Sequence, residues 1–378
     1  MFGEILWMLI IPAIALGAMM SIYRHKVTWK EATLQFLVPV LICLGTAGIF
    51  YFCSSSDTEY LNSYAQTAHY EEPWNERVSC SHPRYVTESY TDSNGKSQTR
   101  SVQDGYQHSY DVDDHGPRYY VKDNCGSHKG ISKTLFKELS TRWDNRKFKD
   151  MHRSYHTRDG DMYFTTFDGN FDKMETFTWT KTYKNKVQNS DSVFTELEVE
   201  EDDVEFYGLH DYNTSYQYSY EPIYGWADAA ASKKLTKFNA INGKRKQLHM
   251  NLLVFHDKTM EAALYQQAYW KGGNKNEFNV CIGLSGQTIK WCKVITWCEV
   301  DILKIETEQD IGDMEKFDAE VVVEYLGENV PKKWIRKEFE DFEYISVEIP
   351  FAGKITCFIL ITLSTIGMCI VTHKMDIN

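Results

Sequence analysis

The sequence predicts an α+β protein with three transmembrane helices and a large extracytoplasmic domain, itself made of a β-rich part and an α/β part with a mixed sheet. Three observations carry this. Three uncharged apolar runs lie near the two ends of the chain; the segment after the second run alternates with period two; and helical and strand patterns alternate from residue 226 onward. The parts are residues 1–53, a transmembrane hairpin; 54–225, β-rich; 226–353, α/β; and 354–378, a last transmembrane helix with a short tail.

The apolar runs Ile5 to Ile22, Thr33 to Cys53 and Ile355 to Thr372 hold 18, 21 and 18 residues without a charge. Each can cross a hydrocarbon core of about 30 Å. The first is not a signal peptide by its pattern: the only early charge is Glu4, no basic leader precedes the run, and a second span follows at once. Pro12 and Pro39 fall inside spans, where a neighbouring helix can satisfy the freed backbone groups. With no ionisable Asp, Glu, Lys or Arg in any span, anchoring is a simpler role than transport.

Loop charge sets the expected orientation. Tyr23 to Ala32 carries Arg24, Lys26 and Lys30 against Glu31, and the tail after the third span carries Lys374, so both are expected in the cytoplasm. The large domain is then extracytoplasmic on an inner or plasma membrane, with the C-terminus inside. Ser54 to Gly353 is 300 residues holding 36 bases and 50 acids, a formal charge of −14. That balance argues against nucleic acid as a partner and against lying along anionic head groups. The bilayer and a protein of the cell envelope are the partners expected.

In the β-rich part, Asp92-Ser-Asn-Gly95 predicts a hairpin, and Ser132 is placed to cap a helix reaching Trp143, with Leu135, Phe136 and Leu139 on one side. Asp168-Gly169 predicts a second tight hairpin between Met162–Phe167 and the strand Thr176-Phe-Thr-Trp-Thr-Lys-Thr-Tyr183. Alternation in that strand buries Trp179 and exposes Thr178. In the α/β part the pattern predicts a helix from Ala227 to Asn242 closed by Gly243, a strand Leu248 to Phe255, and a helix Thr259 to Trp270 stopped by Gly272-Gly273. Strands Phe278 to Gly283 and Thr288 to Cys298, a helix from Ala319 to Tyr325 and a strand Tyr344 to Ile349 complete it.

Two constellations could hold a divalent metal. Asp150, His152, His156, Asp159 and Asp161 offer imidazoles and carboxylates for a metal-assisted hydrolase; a turn at Asp159-Gly160 with locally bonded histidines is the competing reading. Cys80-Ser-His82 and Cys125-Gly-Ser-His128 are two Cys/His pairs able to complete a tetrahedral zinc site. Cys80 and Cys125 are also the only cysteines of the β-rich part, which makes a disulfide the alternative there. Asp111-Val-Asp-Asp-His115 reads as a loop with Asx turns. Cys281, Cys292 and Cys298 fall on strands and are expected as buried thiols, and Cys43, Cys53, Cys357 and Cys369 as small apolar residues of the spans. Catalytic residues are otherwise unknown: no serine elbow, Walker loop, Gly-x-Gly-x-x-Gly or Cys-x-x-Cys occurs, and Asn213-Thr-Ser215 is a lone glycosylation sequon.

The strand Leu252-Leu-Val-Phe255, then Tyr269-Trp-Lys-Gly-Gly-Asn-Lys-Asn-Glu-Phe-Asn-Val-Cys-Ile-Gly283 and its following strand, resembles the TPM domain over about 110 residues. That fold is membrane-attached and extracytoplasmic, a helix leading through a Gly/Asn loop into a central strand. The resemblance implies acid phosphatase or metal-binding activity, or a part in maintaining membrane complexes. Asp150 to Asp161 and the Asn-Lys-Asn-Glu-Phe run are similar to segments of uncharacterised membrane-anchored proteins of tailed phages and bacteria, which implies action on a host envelope. The function expected is a membrane protein presenting an extracytoplasmic interaction domain; the alternative is an extracytoplasmic metal-dependent hydrolase or phosphatase.

Overall fold

A computed structural model describes every residue except 1, 24–26, 92, 94, 154–156, 188–196, 213–220, 339–344, 346, 348 and 378. Arg24, Lys26, His156 and the sequon residues 213–215 therefore lie outside the described residues. The chain divides into two compact units, one of residues Asn62–Phe177 and the other of Met1–Leu61 with Thr178–Asn378.

Among the described residues three helices are long and apolar enough to cross a membrane. A 3₁₀ segment, Phe2–Leu9, leads into α1, Ile10–Ile22; α2 is Trp29–Ser54, and the last helix of the chain is Phe351–Ile377. The start of α2 is set by a reciprocal cap: the Thr28 hydroxyl accepts from Glu31 N at 3.4 Å, and Thr28 N donates to the Glu31 carboxylate at 2.7 Å. Ile5 and Met8 pack with Cys43, Ala47, Ile349, Cys357 and Ile361 at one end of the helices. At the other end Tyr23, which terminates α1, is hydrogen-bonded to His373 of the last helix. The chain therefore leaves α2 at Ser55 and re-enters the last helix at Phe351 on the same end, opposite Tyr23.

Strand β1, Ser56–Glu71, follows α2 in the chain and supplies its residues from Asn62 onward to the unit Asn62–Phe177. Two ribbons follow: β2, Trp74–Ser79, with β5, Tyr110–His115; and β3, Pro83–Thr91, with β4, Ser97–Tyr106. The β3–β4 pairing flanks the expected hairpin turn, of which Asp92 and Asn94 lie outside the described residues. Strands β6, Arg118–Asp123, and β7, His128–Gly130, then join the main sheet. Helix α3, Lys133–Trp143, starts where Ser132 Oγ accepts from Leu135 N at 3.0 Å and buries Phe136, Leu139 and Trp143 against Ala65, Ala68 and Val121. Short β8, Lys147–Lys149, and β9, Met162–Thr166, complete the order β7-β6-β1-β9-β8, and β10, Thr176–Lys184, also pairs with β1.

The hairpin expected at Asp168-Gly169 does not form. Strand β9 pairs with β8 and β1, and β10 pairs with β1, so the two flanking strands are never each other's partners. Gly169 has φ +87°, but Asp168 does not take a positive φ; its carboxylate accepts from Asn170 N and Lys173 Nζ, both at 2.9 Å, and a 3₁₀ turn, Phe171–Lys173, carries the chain on. Along β10 burial does not alternate: Thr178 and Trp179 are both half-buried, and exposure begins at Thr180.

The α/β part opens with α4, Glu201–Tyr207, and β11, Ile223–Tyr224. It continues through α5, Ala229–Lys246; β12, His249–His256; α6, Glu261–Tyr269; β13, Glu277–Ser285; β14, Thr288–Thr296; α7, Asp301–Gly312; and α8, Ala319–Lys333, before α9, Phe351–Ile377. The sheet order is β11-β12-β13-β14, parallel except for the last pair. Period two divides its faces: Met250, Leu252, Val254, Phe278, Val280 and Ile282 pack in the core with Leu235, Leu303 and Val322, whereas Leu253, Phe255 and Cys281 pack with Ala262, Ala263 and Trp270. Burial on both faces is why β12 and β13 read as nearly continuous apolar runs.

Boundaries shift where tertiary contacts decide them. Gly243 lies buried inside α5 and does not close it; the helix ends at Gln247, which takes φ +47°. The Gly pair does stop α6, with Gly272 at φ +82° and Gly273 at φ +71°. Of the last expected strand, Ile345, Val347 and Ile349 are buried, and Tyr344, Ser346 and Glu348 lie outside the described residues.

Candidate metal centre

The β2–β5 ribbon passes into the β3–β4 ribbon through two short links, Cys80 to His82 and Gln107 to Ser109. Gln107 N donates to His82 O at 2.9 Å and holds the links side by side. Cys80, His82, His108 and Asp111 converge there, with one donor atom from each within 4.8 Å of all the others. Cys80 Sγ lies 3.9 Å from His82 Nδ1 and 3.9 Å from His108 Nε2, and His82 Nδ1 lies 3.3 Å from Asp111 Oδ2.

Two of the four groups are positioned by local bonds. Ser81 N donates to Asp111 Oδ2 at 3.0 Å, and this backbone bond is the main reason the Asp111 carboxyl titrates below its ordinary range. His108 Nδ1 lies 2.9 Å from Tyr110 O and 3.3 Å from Asp111 Oδ1; a proton on Nδ1 faces both acceptors and leaves Nε2, on the Cys80 side, with its lone pair. Cys80 is buried, while His82 and His108 are exposed enough to be reached from solvent.

The structure brings Cys80 and His82 together with His108 and Asp111, not with Cys125 and His128. Cys125 lies in the turn after β6, where its N donates to Asp123 Oδ1 at 3.0 Å, and His128 on β7 stacks with Tyr120 at 5.5 Å. Both belong to the main sheet, whereas Cys80 sits at the far end of the β2–β5 ribbon. Cys80 and Cys125 are not joined in a disulfide, and Cys281, Cys292 and Cys298 are buried thiols.

The segment containing Asp150, His152, Asp159 and Asp161 wraps around the start of β2. Asp161 Oδ1 accepts from Met151 N at 3.2 Å, Glu72 N donates to Asp161 O at 2.9 Å, and Asn75 Oδ1 accepts from Thr157 N and Arg158 N at 2.9 and 3.0 Å. Arg153 lies 4.2 Å over the Trp74 ring, which stacks on His115 at 3.8 Å. Asp150, His152 and Asp159 present donor atoms within 4.8 Å of one another, with His152 well exposed; His156 is outside the described residues. On β2 and β5, Glu76, Asp113 and His115 form a similar surface group, with His115 Nε2 at 3.1 Å from Glu76.

A buried polar network that sequence reading missed lies at the start of β13. Glu277 is fully buried, its carboxylate accepting from Asn274 N at 3.0 Å, Asn274 Nδ2 at 3.1 Å and Asn279 Nδ2 at 3.2 Å. Burial pushes its carboxyl up to about 8. Nearby, Tyr183 Oη donates to Asn274 Oδ1 at 3.1 Å, and Asn185 Nδ2 to Asp57 Oδ2 at 2.9 Å.

The chain matches no family model, no curated protein and no solved structure. Its chemistry is therefore argued from these residues alone.

Proposed function

We propose that this is an integral membrane protein that presents an extracytoplasmic domain for interaction with a protein of the cell envelope. One observation carries the reading. Among the described residues three apolar helices pack so that both junctions to the polar segment, Ser55 and Phe351, leave one end, while Tyr23 and Thr28, which flank the basic stretch of the sequence, lie at the other. The excess of Lys and Arg in that stretch puts it and the C-terminus in the cytoplasm. The exposed β3–β4 ribbon, with Tyr85, Tyr90 and Tyr106 at its surface, supplies aromatic contact area of the kind enriched at interfaces. A role in altering a host envelope is part of this proposal; it comes from the resemblance read in the sequence, which no family model, curated protein or solved structure matches.

The orientation is tested with a reporter active only outside the cytoplasm: activity is expected for insertion within 188–196 and none for fusion after Asn378. Activity at the C-terminal fusion overturns the topology. For the partner, a photo-crosslinking residue at Tyr90 in the full chain is expected to trap an envelope protein in living cells; a failure there, with the topology upheld, overturns the interaction role alone.

The hydrolase reading rests on the convergence of Asp150, His152 and Asp159. It expects chelator-sensitive hydrolysis of a phosphate ester that His152→Ala abolishes without change in thermal stability.

A further inference from the structure

We infer that Cys80, His82, His108 and Asp111 form a zinc site that clamps the neck between the two ribbons and fixes the direction of the β3–β4 arm. The donor set is one thiolate, two imidazoles and one carboxylate, which suits a borderline-soft, four-coordinate divalent ion. A tetrahedron with bonds of about 2.0–2.3 Å has edges of roughly 3.3–3.8 Å. The separations of 3.3 Å between His82 and Asp111 and of 3.9 Å from Cys80 to each histidine are close to that figure before any adjustment around an ion.

The arrangement beyond the four ligands is also what a metal site requires. The His108 Nδ1 contact with Tyr110 O selects the tautomer whose Nε2 can ligate, and Ser81 N holds the Asp111 carboxylate in place. A turn with buried Cys80 and two accessible histidines gives the ion a path in from solvent. Four protein ligands close the coordination shell, so the role is structural and not catalytic.

The fold supplies a reason for such a clamp. Nearly every residue of β3 and β4 is exposed, and among the described residues the ribbon is a sheet of two strands. An isolated two-stranded hairpin is at best marginally stable in water. Its cross-strand pairs, Arg84 with Asp104 at 2.8 Å and Arg100 with Glu88 at 3.0 Å, are surface ion pairs worth little. A metal joining the 80–82 link to the 107–111 segment closes the ribbon at its base and lowers the entropy of the open arm. This inference does not rest on the membrane orientation or on any envelope partner.

The test uses the full chain purified in detergent, stripped with a chelator and titrated with Zn²⁺, and in parallel with Co²⁺ as a spectroscopic stand-in. One equivalent is expected, with thiolate-to-cobalt charge transfer and the strong visible bands of tetrahedral cobalt. Zinc is also expected to slow tryptic cutting at Arg84 and Arg100. Because Cys80→Ser alters a buried position, the decisive variants are His82→Ala and His108→Ala at exposed ones. Each is expected to weaken zinc binding at least about 10–100-fold, the range seen for disturbing even an outer partner of a metal site. Cys125→Ser with His128→Ala is expected to leave the titration unchanged. Failure to bind a stoichiometric ion, tight binding that survives the His82 and His108 changes, or loss of binding in the Cys125/His128 double variant overturns the assignment.

Discussion

The Glu59 carboxylate, on the strand that leaves α2, is completely buried and paired with the Arg336 guanidinium from the segment that leads back toward α9. Lys181 adds a second cation at 3.6 Å from Glu59. The pair connects residues 277 positions apart in the chain, close to where both ends of the polar segment meet the membrane helices. A buried ion pair is costly to break because the surviving charge stays desolvated. Glu59→Ala or Arg336→Ala alone is therefore expected to cost about 3–5 kcal/mol. Replacing both by leucine and methionine should cost much less; denaturant unfolding of the four proteins checks this, and equal losses in single and double variants would refute the coupling.

Asn239 of α5 is expected to be as important as a core leucine. β11 covers β12 only at Leu252 and Leu253, and the Asn239 side chain takes the next place, donating to Met250 O at 2.9 Å and accepting from Met250 N at 2.8 Å. Asn239→Leu keeps the heavy-atom count and branching but orphans two buried backbone groups, at about 1–3 kcal/mol each. Thermal and denaturant melts should show that loss.

Gly160 and Gly169 both have positive φ, +63° and +87°, yet they should respond differently to alanine. A Cβ on Gly160 would lie 2.5 Å from Trp74 Cβ and 2.7 Å from Glu72 O, whereas one on Gly169 meets nothing within 4 Å. Gly160→Ala is expected to cost at least about 1–3 kcal/mol, combining backbone strain with displacement of Trp74. Gly169→Ala carries the backbone part alone. Similar melting temperatures for the two variants would contradict this.

Glu277 sets a pH dependence with a definite sign. Its carboxyl is raised from an ordinary 4.5 to about 8 by burial. Between those values the folded chain holds a proton that the unfolded chain has released, so this group's contribution falls as pH rises from about 4.5 to 8 and is level above. Glu277→Gln cannot ionise. Subtracting the variant's stability from the native protein's should therefore leave a difference that declines across that window; a difference independent of pH would show that Glu277 is ionised throughout.

Features whose cause lies within a few residues were legible in the sequence. The lengths of the apolar runs determine three helices able to span a bilayer, because the hydrocarbon thickness sets the requirement directly. Ser132 opens α3 and Gly272-Gly273 ends α6 because a cap or a positive φ is a local demand. The helices and strands from Ala229 to Lys333 follow the periodicity of that stretch. Local signals misled where a tertiary partner outweighed them: Asp168-Gly169 has turn chemistry, but β1 pairs with both flanking strands and separates them.

The candidate metal centre was half legible. Cys80 and His82 stand out as a pair, and the hairpin expected around Asp92 to Gly95 folds residue 82 onto residue 107, which already brings His108 near Cys80. Following that register outward is the signal that would have found His108 and Asp111 in place of Cys125 and His128. The sequence by itself determined the three apolar runs long enough to span a bilayer, the start of α3, the end of α6 and the fold class. Only the tertiary structure decided that Glu59 meets Arg336, that Asn239 stands in for a strand and that Glu277 is buried among asparagines. Periodicity and turn chemistry act over a few residues, whereas these pairings depend on where a chain returns after many, and on the burial that the return creates.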